Sequence, residues 1–300
     1  MINDVIPISI VSFNRPDYLE RLLISLKAQT DTGNVEYHLF QDNAINKFSG
    51  KQYAKLEEIN QCCMVFNKYF PEGEIHLSPF NIGIALNYDN TFRHIFEDKK
   101  HNYGIFLEDD VVLNSYYIYT LRLLLTQYND NPLVGMVSAK GRNPLTTLEE
   151  QEENKHKLSP FGSFLAIGIQ RERWLDVRPF FDKYLEIVGI RDYRCRPRDE
   201  LIELYESKGV YCTPQNLVSS QDRAREIGML SANQIFLSTV TNNLTYIGER
   251  GVHTNSGVFR KQGFDRQIIF NKKVDYFEPL DNEQLMDIIR EWRGRHGMNK

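Results

Sequence analysis

The amino-acid sequence predicts an α/β fold built on a doubly wound, mostly parallel sheet. Short apolar runs rich in Ile, Val and Phe, such as 7–13 and 103–107, have the length and composition of buried strands. Longer segments with apolar residues at helical spacing separate these runs along the first half of the chain. Strands that alternate with helices in this way are typical of a parallel sheet with helices on both faces.

The N-terminal segment is the first example of this alternation. The apolar run 7–13 ends at Asn14, Arg15 and Pro16, and a proline suits the first turn of the helix that follows. That helix places four leucines on one face: Leu19, Leu22, Leu23 and Leu26. The sequence therefore begins with a strand, a polar loop and an amphipathic helix.

The remaining elements follow from the same patterns. Apolar runs predict further strands at 37–40, 75–77, 103–107 and 164–169. Amphipathic spacing predicts helices at 51–70, 84–96, 116–128, 200–208 and 284–292. The polar segment 143–157 is expected to form an exposed loop or a short helix that acts as a lid. Ligands of such sheets bind beyond the carboxyl ends of the strands, so the residues that follow each strand are the ones to examine.

Composition limits the class of function. The chain has 300 residues, of which 41% are hydrophobic and 25% charged, as in globular proteins. A formal net charge of -4 provides no basic field for a nucleic-acid backbone. Residues 1–11 lack a secretory signal, and no apolar run approaches the ~20 residues of a transmembrane helix, so we expect a cytoplasmic protein. The spacing of the four cysteines indicates neither a disulfide framework nor a metal site.

Three adjacent carboxylates, Glu108, Asp109 and Asp110, follow the apolar run 103–107 directly, and we call them the acidic triplet. Carboxylates packed at the end of a buried strand repel one another unless a cation compensates them. Mg²⁺ or Mn²⁺ binds one or two carboxylates together with phosphate oxygens of a substrate. The alternative is that the triplet caps a helix or faces solvent, but the apolar residues on both sides favour a cleft.

The motifs at the strand ends resemble those of one enzyme family. The stretch FLEDDVVLNSYYI resembles the EDD form of the DXD motif in GT-A glycosyltransferases, particularly the N-acetylglucosaminyltransferases of N-glycan branching. VSFNRPDYLERLLISL resembles the N-terminal nucleotide-binding unit of these enzymes and of the family 2 glycosyltransferases. FQDN and NIGIALNYDNTF resemble their base-contacting and donor-side segments. The resemblance covers 6–117 clearly and continues more faintly to about His253.

The resemblance implies roles for individual residues. Asp110 would bind Mn²⁺ or Mg²⁺, and Glu108 and Asp109 would lie near the ribose and the donor sugar. Asp42 would contact the base of a UDP or GDP sugar. The rest of the donor site would consist of Asn14, Arg15, Asn81 and Gly83. For Arg15, the alternative is a surface residue at the start of a helix.

An inverting enzyme also needs a carboxylate that removes the proton of the acceptor hydroxyl. RCRPRDELIELYESKGVYCTPQNLV resembles the family segment that supplies this base, so Asp199 is the first choice and Glu200 the second. The family's aromatic neighbour is replaced here by Arg and Pro, and Asp199 has the alternative role of a helix cap. Asp192 and Asp222 are possible substitutes.

Two later residues complete the implied site. GSFLAIGIQRERW resembles the acceptor-side strand, and Trp174 within it would form a platform for the acceptor sugar. The commoner use of such a tryptophan is core packing. YIGERGVHTNSG resembles the C-terminal GxHT element, in which His253 would complete the metal site, although a lone histidine is more often structural.

Together these features predict a Rossmann-like GT-A domain over 1–255, with a nucleotide-sugar half at 1–115, an acceptor half at 116–255 and a C-terminal extension at 256–300. The expected activity is metal-dependent, inverting transfer of a sugar to a hydroxyl of a glycan or glycoconjugate, in glycan biosynthesis. One alternative is a catalytically silent nucleotide-sugar or carbohydrate-binding module. Another is a nucleotidyltransferase, but SFNRP lacks the glycine-rich phosphate loop of that class. The sequence leaves the oligomeric state open.

Overall fold

The computed structural model describes residues 2, 4–160, 162–195, 197–251 and 255–298. The first half of the chain alternates strands and helices as the sequence predicts. Its elements are β1 (Ile6–Ser12), α1 (Pro16–Lys27), β2 (Val35–Gln41), α2 (Leu56–Tyr69), β3 (Glu74–Leu77), α3 (Gly83–Arg93), a π-helical turn (His94–Asp98), β4 (Tyr103–Glu108), β5 (Val111–Leu113) and α4 (Tyr117–Gln127).

The second half contains shorter elements. They are β6 (Val134–Ser138), α5 (Leu148–Glu153), β7 (Leu158–Ser159), β8 (Ala166–Gln170), α6 (Arg171–Val188), α7 (Arg198–Glu206), α8 (Gln221–Ser231), β9 (Ile235–Thr239), β10 (Leu244–Tyr246), α9 (Ser256–Lys261), a 3₁₀ turn (Phe264–Arg266) and α10 (Asn282–Arg295). The lid predicted at 143–157 contains α5, whose first turn is capped by Thr147. The sequence patterns did not predict β6, β9, α6 or α8.

Eight strands form one central sheet in the order β3-β2-β1-β4-β8-β6-β9-β7. The pairings among the first four strands and between β6 and β9 are parallel, whereas β8 and β7 run antiparallel to their neighbours. The predicted α/β class with a mostly parallel sheet is confirmed. β5 and β10 form a separate two-stranded ribbon.

The interior position of β1 explains where a ligand site forms. All seven residues of β1 are buried, and β2 and β4 pair with this strand on its two sides. The chain passes from β1 to β2 on one side and returns to β4 on the other, so the strand order reverses between β1 and β4. Such a reversal opens a crevice at the carboxyl ends of the two strands.

The C-terminal segment packs onto the same core as the sheet. Phe270, Phe277 and Leu285 are almost fully buried and belong to the main hydrophobic cluster. Asn114 Nδ2 also donates a hydrogen bond to the carbonyl of Phe270 at 2.6 Å. The boundary at residue 255 stays a prediction. None of the described helices combines the length and apolar character that a membrane crossing requires.

Candidate functional site

The acidic triplet and Arg15 meet in the crevice between β1 and β4. Arg15 follows β1, and the triplet begins at the last residue of β4. The register pairs Val11 with Glu108, so the two strands end side by side. The convergence of these residues is therefore a direct consequence of the parallel β1–β4 pairing.

Arg15 forms ion pairs with two members of the triplet. Its Nη1 lies 2.8 Å from Asp110 Oδ2, and its Nη2 contacts Asp109 Oδ1. Burial opposes the charged form of Arg15, but the carboxylates of Asp109, Asp110 and Glu108 outweigh that effect and raise the pKa of the guanidinium. Asp109 also accepts a hydrogen bond from Ser12 Oγ at 3.1 Å. Arg15 thus supplies part of the positive charge that three carboxylates require. Asn14 lies half-buried next to it.

One oxygen of Asp110 remains without a partner. Asp110 is 4% exposed, and its Oδ1 is buried with no hydrogen-bond partner among the described residues. Burial, together with the neighbouring charge of Asp109, raises the pKa of Asp110 to about 6, while Arg15 acts in the opposite direction. A buried carboxylate oxygen that lacks a donor is costly unless a cation or a donor group reaches it. Asp110 therefore has the properties of a cation ligand.

The loop that follows β10 closes one side of this crevice. The backbone N–H of Ile247 donates to the carbonyl of Asp110 at 2.8 Å. A Cβ atom at Gly248 would come within 2.6 Å of Asp110 Oδ2, so this position requires glycine for the loop to pass the carboxylate. Gly251 lies beside Arg15. His253 is close in sequence to these glycines but lies outside the described residues, so its predicted role at the metal stays a prediction.

Glu108, the first residue of the triplet, contacts the aromatic side chain of Tyr88. The hydroxyl of Tyr88 donates to Glu108 Oε1 at 3.4 Å. Burial raises the pKa of Glu108 well above its usual value, and the charges of Asp110 and Asp222 raise it further. Arg225 acts in the opposite direction. A chain of contacts links Asp222, one of the possible substitutes for the base, to Glu108: Asp222 pairs with Arg225, Arg225 lies over the ring of Tyr88, and Tyr88 contacts Glu108.

Asp222 and Arg225 come from the first turn of α8. Arg225 is fully buried, and its Nη2 donates to Asp222 Oδ1 at 2.7 Å. The guanidinium lies 4.5 Å from the centre of the Tyr88 ring and 4.7 Å from that of Phe164. Asp222 keeps a 41% exposed side chain. The start of α8 thus offers a solvent-accessible carboxylate that a buried guanidinium holds in place.

A second cluster forms where β2 and β3 end. The carboxylate of Asp42 accepts four hydrogen bonds at 2.9 Å, from the backbone N–H groups of Asn43, Ile82 and Gly83 and from Asn81 Nδ2. Burial raises the pKa of Asp42 to about 6, although these backbone bonds lower it. Gly83 has a φ of +80°, which favours glycine. The predicted donor residues Asp42, Asn81 and Gly83 therefore form one network at the start of α3.

The structure separates the candidates for the catalytic base. Asp199 and Glu200 are exposed in the first turn of α7, and Glu200 lies 3.5 Å from Arg191. Among the described residues, no hydrogen bond or ion pair joins Asp199 to the acidic triplet. Asp192 is buried and accepts hydrogen bonds from Ser49 Oγ at 2.6 Å and Tyr53 OH at 2.5 Å, so it anchors one loop to another. Asp222 is linked to Glu108 through Arg225 and Tyr88.

The predicted platform at Trp174 is corrected by its position. The side chain is 1% exposed in α6, and its ring centre lies 4.2 Å from that of Phe92 and 5.4 Å from that of Phe181. A ring enclosed by other aromatic rings has no face that a sugar can reach. Trp174 is therefore a core residue, in line with the commoner use of tryptophan beside a buried strand.

Comparison with known proteins does not show the family of this chain, so a functional assignment depends on the geometry of the site. No protein-family model and no curated protein matches the sequence. The structure of S. aureus TarS 1–349 has a TM-score of 0.45 and 13% identity, over 98% of this chain and 72% of that chain. WbbM, a bifunctional glycosyltransferase, has a TM-score of 0.35 and 9% identity, over 80% of this chain and 46% of that chain. This chain therefore spans less than half of the WbbM structure, and neither likeness bears on function.

Proposed function

We propose that the chain is a metal-dependent glycosyltransferase of the GT-A type that uses a nucleoside diphosphate sugar as donor and a hydroxyl group as acceptor. The observation that carries the proposal is the convergence of the acidic triplet and Arg15 in the β1–β4 crevice, with Asp110 Oδ1 left without a partner. The crevice lies where sheets of this class bind nucleotides. The resemblance of the strand-end motifs to those of GT-A glycosyltransferases supports a donor at the same edge.

The residues of the crevice suit a hard divalent cation. The site has more carboxylates than guanidinium groups, and the raised pKa of Asp110 reflects both its burial and this excess of negative charge. Asp110 would hold Mn²⁺ or Mg²⁺ through its oxygen Oδ1, because these cations prefer oxygen ligands. When bound, the cation neutralises the diphosphate that departs from the donor.

Arg15 has a second role in this proposal. Its guanidinium carries five N–H donors, whereas Asp109 and Asp110 engage only part of them. A diphosphate in the crevice would meet the same planar fork, which binds phosphate and carboxylate oxygens equally well. Arg15 would therefore pair with the carboxylates of the triplet and with the diphosphate of the donor at the same time.

The Asp42 cluster would position the nucleoside. Because all four hydrogen bonds of its carboxylate come from groups within the chain, Asp42 fixes the loop before α3 rather than offering a free acceptor. A nucleotide base that binds here would contact the loop that this hydrogen-bond network holds in place. We therefore retain the predicted role in base recognition for the cluster of Asp42, Asn81 and Gly83 as a unit.

Asp222 is the favoured base. As the acceptor oxygen forms its bond to the anomeric carbon, the bond to the diphosphate breaks and its electron pair leaves with the diphosphate. The proton of the acceptor hydroxyl passes to the Asp222 carboxylate. Arg225 holds that carboxylate in place, with its Nη2 2.7 Å from Asp222 Oδ1. Attack opposite to the leaving group gives inversion. Asp199 is the alternative base from the sequence motif.

A silent binding module is the second candidate, because the ion pairs of Arg15 with Asp109 and Asp110 compensate part of the charge of the acidic triplet. A thermal-shift screen of UDP, GDP, CMP and TDP sugars with and without Mn²⁺ would separate the two. Binding to the folded state raises the melting temperature by mass action. The enzyme requires metal-dependent stabilisation by one donor and consumption of that donor. Binding without consumption favours the silent module, and no binding of any donor contradicts both.

A further inference from the structure

Four side chains outside the donor site converge near the β3 edge of the sheet. His38 lies on β2, Glu74 and His76 lie on β3, and His94 begins the π-helical turn after α3. One nitrogen or oxygen atom from each lies within 4.8 Å of the others. His38 precedes Asp42 by four residues, which is about 13 Å along a strand. The cluster is therefore distinct from the donor site.

Three of these atoms form a triangle of the size that a tetrahedral ion requires. His38 Nδ1 lies 3.2 Å from His76 Nε2 and 3.8 Å from Glu74 Oε2, and the last two atoms are 3.7 Å apart. Bonds of about 2.0–2.2 Å in tetrahedral geometry place ligand atoms roughly 3.3–3.6 Å apart. Shifts of a few tenths of an ångström would bring all three atoms to bonding distance from one ion.

His94 supplies a fourth nitrogen that has no other use. Its Nε2 is buried and has no hydrogen-bond partner in the part of the chain that the structure describes. The ring centre lies 4.3 Å from that of His76. Asp98 Oδ2 lies 3.8 Å from the other ring nitrogen, Nδ1, and so favours the proton on that side. The lone pair is then left on Nε2, the atom without a partner.

Outer carboxylates and a lysine orient the cluster. Glu36 Oε1 lies 3.1 Å from His38 Nε2, which leaves Nδ1 of that ring as the ligand atom. Lys99 lies 3.4 Å from the second oxygen of Glu74. Metal-binding histidines usually donate their other N–H to a carboxylate in this manner.

We propose that His38, Glu74, His76 and His94 bind one Zn²⁺ ion. A site with three imidazoles and one carboxylate suits zinc, whereas Mg²⁺ and Mn²⁺ prefer oxygen ligands. The ion fastens edge strand β3 to β2 and to the end of α3. This role is structural and independent of the donor site.

Zinc binding to untagged, chelator-treated protein tests this site. Titration calorimetry with ZnCl₂ in excess Mg²⁺ should give one site per chain, and Zn²⁺ should raise the melting temperature by about 5 °C. His76→Gln and Glu74→Gln should each weaken zinc binding by at least about a hundredfold. Glu74 is half-exposed, so Glu74→Gln should keep the fold, which circular dichroism would verify.

Two control variants make the result specific. His156→Gln alters a half-buried histidine outside the cluster and should leave zinc affinity unchanged. Asp110→Ala removes the proposed metal ligand of the donor site and should also retain the zinc site. Co²⁺ should give the visible absorption of four-coordinate cobalt in the wild type but not in His76→Gln. The proposal is wrong if the wild type binds no zinc, or if the folded Glu74→Gln and His76→Gln proteins bind it as the wild type does.

Discussion

Lys140 follows β6 and is one of the few buried charged groups that no carboxylate pairs with among the described residues. It is 5% exposed, and its Nζ donates to Asn242 Oδ1 at 3.2 Å. Burial lowers the pKa of Lys140 from 10.5 to about 8. Holding the ammonium group protonated at pH 7 therefore costs the folded state about 3 kcal/mol.

The substitution Lys140→Met should convert most of that cost into stability. It retains the apolar stem and removes the charge, but it also removes the hydrogen bond to Asn242, worth about 1 kcal/mol. The net gain in the free energy of unfolding at pH 7 should be about 2 kcal/mol. The unfolded chain binds more protons at this lysine between about pH 8 and pH 10.5. The free energy of unfolding of the wild type therefore rises with pH across that window as Lys140 loses its charge. The difference in stability between Lys140→Met and the wild type disappears accordingly.

Urea unfolding at pH 7 and pH 10 measures both effects, with equal m values as the check that the two proteins unfold alike. Lys183→Met, an exposed lysine of α6, is the matched control and should change stability by less than about 0.5 kcal/mol at either pH. The reasoning is refuted if Lys140→Met is no more stable than the wild type at pH 7. It is also refuted if the difference persists at pH 10.

Three further predictions concern the donor site. Asp42→Ala leaves buried hydrogen-bond donors unpaired and should lower the free energy of unfolding, measured in urea, by about 2–4 kcal/mol. It should also raise KM for the donor sugar, and unchanged values of both quantities would contradict the anchoring role. Asp222→Asn should lower kcat about 10²–10⁴-fold at unchanged donor KM. Asp199→Asn should keep kcat within about threefold of the wild type, because Asn also caps helices; a larger loss in Asp199→Asn than in Asp222→Asn would assign the base role to Asp199. Arg15→Met should lower the free energy of unfolding by about 2 kcal/mol without metal, since it leaves two carboxylates uncompensated. Mn²⁺ should then raise the melting temperature of Arg15→Met by more than that of the wild type, and equal shifts of the two proteins would contradict this.

The sequence predicted the donor half of the fold because its evidence is local. The parallel strands β1, β2 and β4 each contain a short apolar run, and a polar residue lies within two positions of the end of each strand. Parallel strands end at one edge, so Arg15, Asp42 and Asp110 were expected on one side of the sheet before their contacts were known. The ion pair between Arg15 and the triplet was not predicted, because it depends on which strand pairs with β1.

The second half was harder to predict for identifiable reasons. Pro179 lies inside α6 and reads as a helix breaker, although surrounding contacts tolerate it there. β8 runs antiparallel to β4, which the alternation of strands and helices does not predict. Asp222 is linked to Glu108 only through contacts of Arg225 and Tyr88 that depend on the packing of α8. In the sequence, Asp222 looks like any acidic residue in the first turn of a helix. Burial of Trp174 likewise depends on tertiary contacts.

Release of nucleoside diphosphate from a donor sugar tests the central claim most directly. The donor found by thermal shift is incubated with wild type, with Asp110→Ala and with Asp287→Ala, an exposed control on α10. We expect the wild type and Asp287→Ala to consume donor only when Mn²⁺ or Mg²⁺ is present. Asp110→Ala should be slower by about a hundredfold to a thousandfold. Full activity of the wild type in excess EDTA, or unchanged activity of Asp110→Ala, would contradict a metal-dependent transferase centred on the acidic triplet.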